Sequence, residues 1–177
     1  MKKATLLLIV FSFTFFIAKA QNSFLFSKDQ ILDIAKCNTS SCITAIAKTQ
    51  GYEFISKAPS TKHKGCTDYT YYSTDAVKAS YTDDSLMLKN RLVISLNTTT
   101  LKVQAIDYNT ANKALYESQY DEFKASYIVE DLSDNEDPDC MEFYSFVYSK
   151  MNIWLCIKGY KKGDTIYSNH SIRFEMK

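Results

Sequence analysis

Apolar residues recur at helical spacing near the start of the chain, after a polar position that carries helix-start signals. Ser27 is a candidate N-cap, Gln30 lies three residues later as in a capping box, and Phe26 can pack on Ile31 as a hydrophobic staple. The same apolar face continues to about Cys37. The pattern predicts a first helix between Ser27 and Cys37.

A second helical pattern follows after a short polar break. Ser40 or Ser41 can cap it, Ile43 and Ala47 lie on its apolar face, and Gly51 is suited to the position just past its end. Two helices joined by such a short turn form a helical hairpin.

Beyond the two helices, the hydrophobic period changes from helical to alternating, which is typical of strands. Short strands are predicted around Tyr52, Tyr69 and Val77. Alternation is clearest over residues 91–106, where a turn at residues 97–100 separates two apolar runs. This segment is predicted to be a β-hairpin.

The second half of the chain repeats this order. A third helix is predicted to begin near Asn109 or Thr110, and an acidic loop follows at residues 130–139. Gly159 and Gly163 are predicted to bound a turn between the last two strands. The three strands predicted here are residues 143–148, 153–157 and 165–174.

These elements indicate an α+β fold in which a helical hairpin and antiparallel strands are followed by a second helix-plus-strands unit. We predict that the helices pack on one face of an antiparallel sheet. The predicted halves are residues 21–107 and 108–177, and the repeated order favours an internal duplication. One continuous α+β domain is the alternative.

In outline this tandem arrangement resembles the helix-plus-sheet repeats of the secreted β-lactamase inhibitory proteins. A Cys pair in a helical hairpin, followed by Gly51, Tyr52 and Phe54, also resembles small exported bacterial proteins. Neither resemblance implies a particular activity. The local likeness to the inhibitory proteins is confined to the first helix, Lys28-Asp29-Gln30-Ile31-Leu32-Asp33-Ile34-Ala35.

Residues 1–20 have the pattern of a cleavable secretory signal. A start with two lysines precedes the apolar run 6–17, and Ala18 and Ala20 are the small residues that a signal peptidase reads. The run is shorter than the roughly 20 residues that a membrane-spanning helix needs. We therefore expect cleavage before Gln21 and an exported product, periplasmic or extracellular, that is not inserted in the membrane.

The formal net charge of the whole chain is +1, and loss of the leader with Lys2, Lys3 and Lys19 turns it slightly negative. Such a balance removes the simplest argument for nucleic acid or an anionic membrane surface as a partner, because binding to either requires a clustered positive field. A small basic patch is interpreted as a solvated loop. Its members are Lys57, Lys62, His63 and Lys64.

Export into an oxidising compartment makes disulfides the first interpretation of the five cysteines. Cys37 and Cys42 flank the turn between the first two helices, so we predict that they form a bridge. A bridge between Cys66 and Cys140 competes with one that involves Cys156, which is alternatively a buried free thiol. No paired short spacing of zinc ligands is present.

The chain has only two histidines, and no common catalytic motif occurs. His63 and Cys66 are the only local pair suited to nucleophilic catalysis, and no cofactor is predicted. A solvated acidic loop is preferred to a weak calcium site, whose candidate ligands are Asp134, Glu136, Asp137 and Asp139.

Aromatic strands suggest a ligand face, although ordinary sheet packing is the preferred interpretation of them. The candidates for this face are Tyr69, Tyr71, Tyr144 and Tyr148. We therefore expect an exported, non-enzymatic binding or inhibitor-like module for an unknown protein or glycan. The alternatives are a small secreted hydrolase that uses carboxylates or the Cys/His pair, and a structural envelope protein.

Overall fold

The structure is a computed structural model that describes residues 26–78, 87–126, 128–130, 142–148, 151–162 and 165–177. The predicted leader, residues 1–20, lies outside these ranges. The described helices are α1 (Lys28–Lys36), α2 (Ser40–Thr49) and α3 (Lys113–Ser126). The described strands are β1 (Tyr52–Pro59), β2 (Cys66–Lys78), β3 (Met87–Asn97), β4 (Val103–Thr110), β5 (Ile128–Glu130), β6 (Glu142–Tyr148), β7 (Met151–Lys162) and β8 (Thr165–Met176).

The predicted start of the first helix is confirmed by its hydrogen bonds. The backbone N–H of Gln30 donates to Ser27 Oγ at 3.3 Å, and the N–H of Ser27 donates to Gln30 Oε1 at 2.8 Å. This reciprocal pair is a capping box, which satisfies two donors that the first turn leaves without helical partners.

The cap of the second helix differs from the prediction. Thr39, and not Ser40 or Ser41, is the N-cap of α2, and its Oγ1 accepts from the N–H of Cys42 at 3.3 Å. Thr39 has the extended backbone that an N-cap requires, whereas Ser40 is already helical. Gly51 ends the hairpin in the left-handed conformation, with φ of 74°, as expected for a residue just past a helix.

The described strands form one sheet of eight, in the order β1-β2-β3-β4-β8-β7-β6-β5. Every neighbouring pair is antiparallel. The predicted α+β class is therefore confirmed. Strands β1–β4 run in sequence from one edge to the centre, and β5–β8 do so from the other edge. The two sets meet where β4 pairs with β8.

Several predicted boundaries shift. Tyr69 and Val77 were assigned to separate strands, but both belong to β2, whose register shifts between Tyr72 and Ala76. That irregularity interrupts the alternation that sequence reasoning relies on. Gly159 bounds no turn, because it lies inside β7.

The third helix also begins later than predicted. Thr110 is the last residue of β4, and α3 starts at Lys113. Asn112 precedes this helix, and its Oδ1 accepts from the N–H of Leu115 at 3.1 Å. Strand β5 was not predicted, and most of the predicted acidic loop lies outside the described residues.

One hydrophobic cluster joins the helices to the sheet. Ile34 of α1, Ile43 of α2 and Tyr116 of α3 belong to this cluster together with sheet residues such as Leu92 and Ile106. Because alternate residues of a strand point to opposite faces, these sheet residues define one face, which we call the core face. A buried row crosses it in register: Tyr71, Leu92, Tyr108, Ile172 and Leu155.

Candidate functional site

The other face of the sheet carries polar and aromatic side chains, and we call it the polar face. Its central row follows from the register of five strands, in which residues directly opposite each other share a face. The row is Thr70, Val93, Asp107, Arg173 and Trp154. Val93 is buried, whereas Thr70, Asp107, Arg173 and Trp154 are half-buried.

An ion pair stands at the centre of this row, where β4 meets β8. Arg173 Nε donates to Asp107 Oδ1 at 2.7 Å, and the Asp107 side chain is 13% exposed. Lys62, from the loop between β1 and β2, places its Nζ 3.9 Å from Asp107 Oδ2. Two cations thus share one carboxylate at the centre of the polar face.

The next row of the polar face adds an aromatic ring and another guanidinium group. Tyr72 pairs with Arg91, and Arg91 pairs with Asn109. Arg91 is exposed, while Tyr72 and Asn109 are half-buried. Tyr72 and Arg91 of this row, together with Arg173 and Trp154 of the central row, are of the three residue types that dominate binding energy in protein interfaces.

The structure corrects the predicted ligand face. Tyr71 is fully buried on the core face, and its hydroxyl lies 3.0 Å from Thr44 Oγ1 of α2, so it is not available to a ligand. Tyr69 is half-buried and packs against the core. The rings of Tyr69 and Tyr71 point to the interior because they lie on the same side of β2 as the core face.

The other two predicted tyrosines lie on β6. Tyr144 pairs with Leu155 and Tyr148 with Met151, and the side chains of this strand lie outside the described part of the structure. The residues that face solvent were missed because Asp107, Arg173 and Trp154 are separated in sequence. The sequence signal that could have identified them is the set of polar residues that alternate with apolar residues along each predicted strand.

The cysteines follow two of the predictions, the Cys37–Cys42 bridge and a bridge that involves Cys156, and depart from the others. Cys37 and Cys42 form a disulfide with their Cα atoms 5.6 Å apart, as predicted. Cys66 is a buried free thiol, so the predicted Cys66–Cys140 bridge is wrong. Cys156 is disulfide-bonded, and its alternative assignment as a free thiol is therefore also wrong.

The predicted pair of His63 and Cys66 does not form a nucleophilic site. They meet through the backbone, where the N–H of Cys66 donates to the carbonyl of His63 at 3.1 Å. The Nε2 of His63 is buried without a hydrogen-bond partner. Burial raises the pKa of the Cys66 thiol, which disfavours the thiolate that a nucleophile requires.

A second constellation, which sequence reasoning missed, is a buried polar cluster at one end of the core face. The backbone N–H of Asn90 donates to Ser73 Oγ at 2.9 Å. The Asn90 side chain lies beside Tyr52 and lowers the pKa of its hydroxyl against the larger effect of burial. The polar side chains buried in this region are Ser73, Asn90, Thr110, Gln119 and His170.

Two tyrosines lie within this buried region. Burial raises the pKa of Tyr52 far above its ordinary value of 10.0 and that of Tyr108 to about 12. The ring of His170 lies 4.9 Å from that of Tyr116. Because every one of these residues is buried, the cluster is a structural feature of the interior and presents no reactive group to solvent.

Within the described ranges, no group of three or more His, Cys, Asp or Glu side chains could hold a metal ion. The weak calcium candidates Asp134, Glu136, Asp137 and Asp139 lie outside those ranges and stay a prediction. Within the same ranges, no helix is both long and apolar enough to span a membrane.

Comparison of the chain with protein-family models, with curated proteins and with solved structures found no match.

Proposed function

We propose that this chain is an exported, non-enzymatic binding module whose ligand lies against the polar face of the sheet. The observation that carries the proposal is the half-exposed row of Asp107, Arg173 and Trp154, flanked by exposed Arg91. A planar guanidinium group and an indole ring provide large, directional contact areas on a rigid sheet. A preformed surface of this kind loses little conformational entropy when it binds.

Export is part of this proposal. The Cys37–Cys42 bridge is compatible with maturation in an oxidising compartment, where structural disulfides persist. The leader pattern of residues 1–20 supports the same route. Mass spectrometry of the native product tests both points, since the expected species starts at Gln21. A product that keeps Met1 and reduced Cys37 and Cys42 would contradict export.

We also infer that the helices all cover the core face and that the chain arose by duplication of one helix-plus-strands unit. The strand order supports the duplication, because β4 and β8 occupy equivalent central positions in the two sets. Around the Asp107–Arg173 pair, Ile106 faces Phe174 and Tyr108 faces Ile172. The two strands thus present the same order of aliphatic, charged and aromatic residues. Failure of β1–β4 to superpose on β5–β8 in an experimental structure would refute the duplication.

Trp154 is the single tryptophan of the chain, so its fluorescence reports directly on the polar face. Capture from an envelope extract supplies a candidate partner. We expect that the purified partner, at saturating concentration, protects Trp154 from acrylamide quenching. Unchanged quenching by a partner that is demonstrably bound would place the ligand elsewhere and overturn the proposal.

Variants separate binding at this face from effects on folding. We expect Arg91→Glu to weaken partner binding at least tenfold, because it reverses a charge on an exposed interface residue. Lys48→Glu is the matched control, since it reverses the charge of an exposed lysine on α2. Equal binding by both variants, with unchanged circular dichroism, would contradict the proposed face.

A further inference from the structure

Two loops meet at one end of the sheet. The first connects β1 to β2, and the second is the turn between β3 and β4. The backbone N–H of Thr98 donates to the carbonyl of Gly65 at 2.9 Å, and Thr98 Oγ1 donates to the same oxygen at 3.0 Å. The two loops therefore form one surface.

This surface is basic and lacks acidic residues from either loop. Neither the β1–β2 loop, residues 60–65, nor the β3–β4 turn, residues 98–102, includes an Asp or Glu. We call the surface the basic tip. It is defined by the exposed side chains of Lys64, Leu101 and Lys102.

Leu101 projects from a turn that is held in place by hydrogen bonds. Asn97 Oδ1 accepts from the N–H groups of Thr99 and Thr100 at 3.0 and 2.8 Å, and the carbonyl of Asn97 accepts from the N–H of Leu101 at 3.0 Å. Leu101 is 51% exposed. Its φ is 53°, and no other non-glycine residue in the described ranges has a positive φ. Leu101 is therefore an exposed large apolar side chain in a backbone conformation that leucine rarely adopts.

We propose that the basic tip is a contact site for an anionic phospholipid surface, with the lysines at the headgroups and Leu101 at the boundary with the acyl chains. The charges are complementary, because each lysine near an anionic bilayer strengthens binding by about fivefold. The apolar Leu101 adds the hydrophobic contribution that a purely electrostatic contact lacks.

The composition of the tip favours a lipid surface over an acidic protein. Protein interfaces concentrate their energy in Trp, Tyr and Arg, and none of these residues occurs in the two loops. Lysine is a compact charge on a flexible stem, which suits headgroups that move laterally and offer no fixed geometry. The arginine and tryptophan side chains of this protein lie instead on the polar face, so the tip is a separate site.

Vesicle co-sedimentation of the processed protein, with its N-terminus verified by mass spectrometry, tests the proposal. One set of vesicles is phosphatidylcholine alone, and the other mixes it with an equal amount of phosphatidylglycerol. We expect binding to the anionic vesicles only, and weaker binding as salt is added. Equal binding to both sets, or none to either, would overturn the proposal.

Variants place the contact at the tip. The double variant Lys64→Glu/Lys102→Glu is expected to lose more than tenfold in affinity for the anionic vesicles. The control Lys113→Glu/Lys124→Glu reverses two exposed charges on α3 and is expected to bind as the parent does. Loss in both double variants would show a general effect of net charge and refute a local site.

Leu101→Asn tests the apolar contribution, because asparagine tolerates a positive φ better than leucine does. We expect a several-fold loss in vesicle affinity with a urea midpoint no lower than that of the parent. Unchanged affinity would remove Leu101 from the site. If inorganic phosphate reduced vesicle binding more than chloride did at equal ionic strength, the tip would be a phosphate site and the proposed lipid surface would be ruled out. The proposal would also be overturned if the parent bound an acidic protein but no vesicles, and if the Lys64→Glu/Lys102→Glu variant no longer bound that protein.

Discussion

At the scale of single residues, the Asp107–Arg173 pair joins the two sets of strands. Arg173 Nε lies 2.7 Å from Asp107 Oδ1 where β4 pairs with β8, and the carboxylate is largely shielded from water. Partial burial strengthens such a pair relative to a fully exposed one, because solvent screens it less. The pair therefore contributes to the seam of the sheet as well as to the charge of the polar face.

Asp107→Asn keeps the size of this side chain and removes its charge. We expect a loss of about 1 kcal/mol in the free energy of unfolding, since the charge-assisted hydrogen bond becomes a neutral one. Urea unfolding measures the change. Asp121→Asn alters an exposed carboxylate of α3 and serves as the control. An equal effect of both substitutions would contradict a specific role for the pair.

Cys156 provides a second test at this scale. Cys37 and Cys42 are bonded to each other and Cys66 is free, so Cys140, outside the described residues, is the remaining candidate partner by count. Non-reducing peptide mapping should find a peptide that links Cys140 to Cys156. Detection of Cys140 as a free thiol in the monomer would show this assignment to be wrong.

At the scale of elements, the hairpin of α1 and α2 is held by caps, by the core and by one disulfide. The bridge closes a loop with a sequence separation of 5. A loop of this size restricts the unfolded chain enough to stabilise the folded state by about 2 kcal/mol. The hairpin also buries Ile34 and Ile43, which should keep it docked without the bridge.

We therefore expect the double variant Cys37→Ser/Cys42→Ser to fold but to lose about 2 kcal/mol in the free energy of unfolding. Urea unfolding followed by circular dichroism measures this loss. Ser41→Ala, at an exposed position in the first turn of α2, is expected to change stability little. Complete unfolding of the double variant would show that the core contacts of the hairpin do not suffice.

At the scale of the whole molecule, buried tyrosines couple stability to pH. Burial raises the pKa of Tyr52, Tyr71 and Tyr108 above the ordinary value of 10.0. When the pKa of a group is higher in the folded state than in the unfolded state, the group contributes stability at any pH below its unfolded-state pKa. That stability is lost as the pH rises through the folded-state pKa. The protein should therefore lose stability above about pH 10 through the ionisation of these hydroxyls.

Tyrosinate absorbance measures this behaviour. The buried tyrosines are expected to ionise above pH 10, together with unfolding seen by circular dichroism. Tyr52→Phe should reduce the steepness of the alkaline loss, because one of the coupled groups is removed. Titration of all tyrosines in one step near pH 10, without unfolding, would contradict the buried assignments.

Local patterns determined much of the architecture. The capping box at Ser27 and Gln30, the Cys37–Cys42 bridge and the hairpin at residues 91–106 each depend on residues close in sequence, so their physics is visible without coordinates. Strand boundaries near irregular register were harder to predict. The shift within β2 breaks the alternation that a period-based prediction needs.

The sequence by itself determined the class of fold and the positions of the first helices, because propensities, caps and hydrophobic periods act over a few residues. Only the tertiary structure decided which half of each alternation faces the core, and so it buried Tyr71 and brought Asp107 beside Arg173. It also joined the loops that carry Gly65 and Thr98. Those outcomes depend on strand order and register between distant segments, which local preferences do not encode.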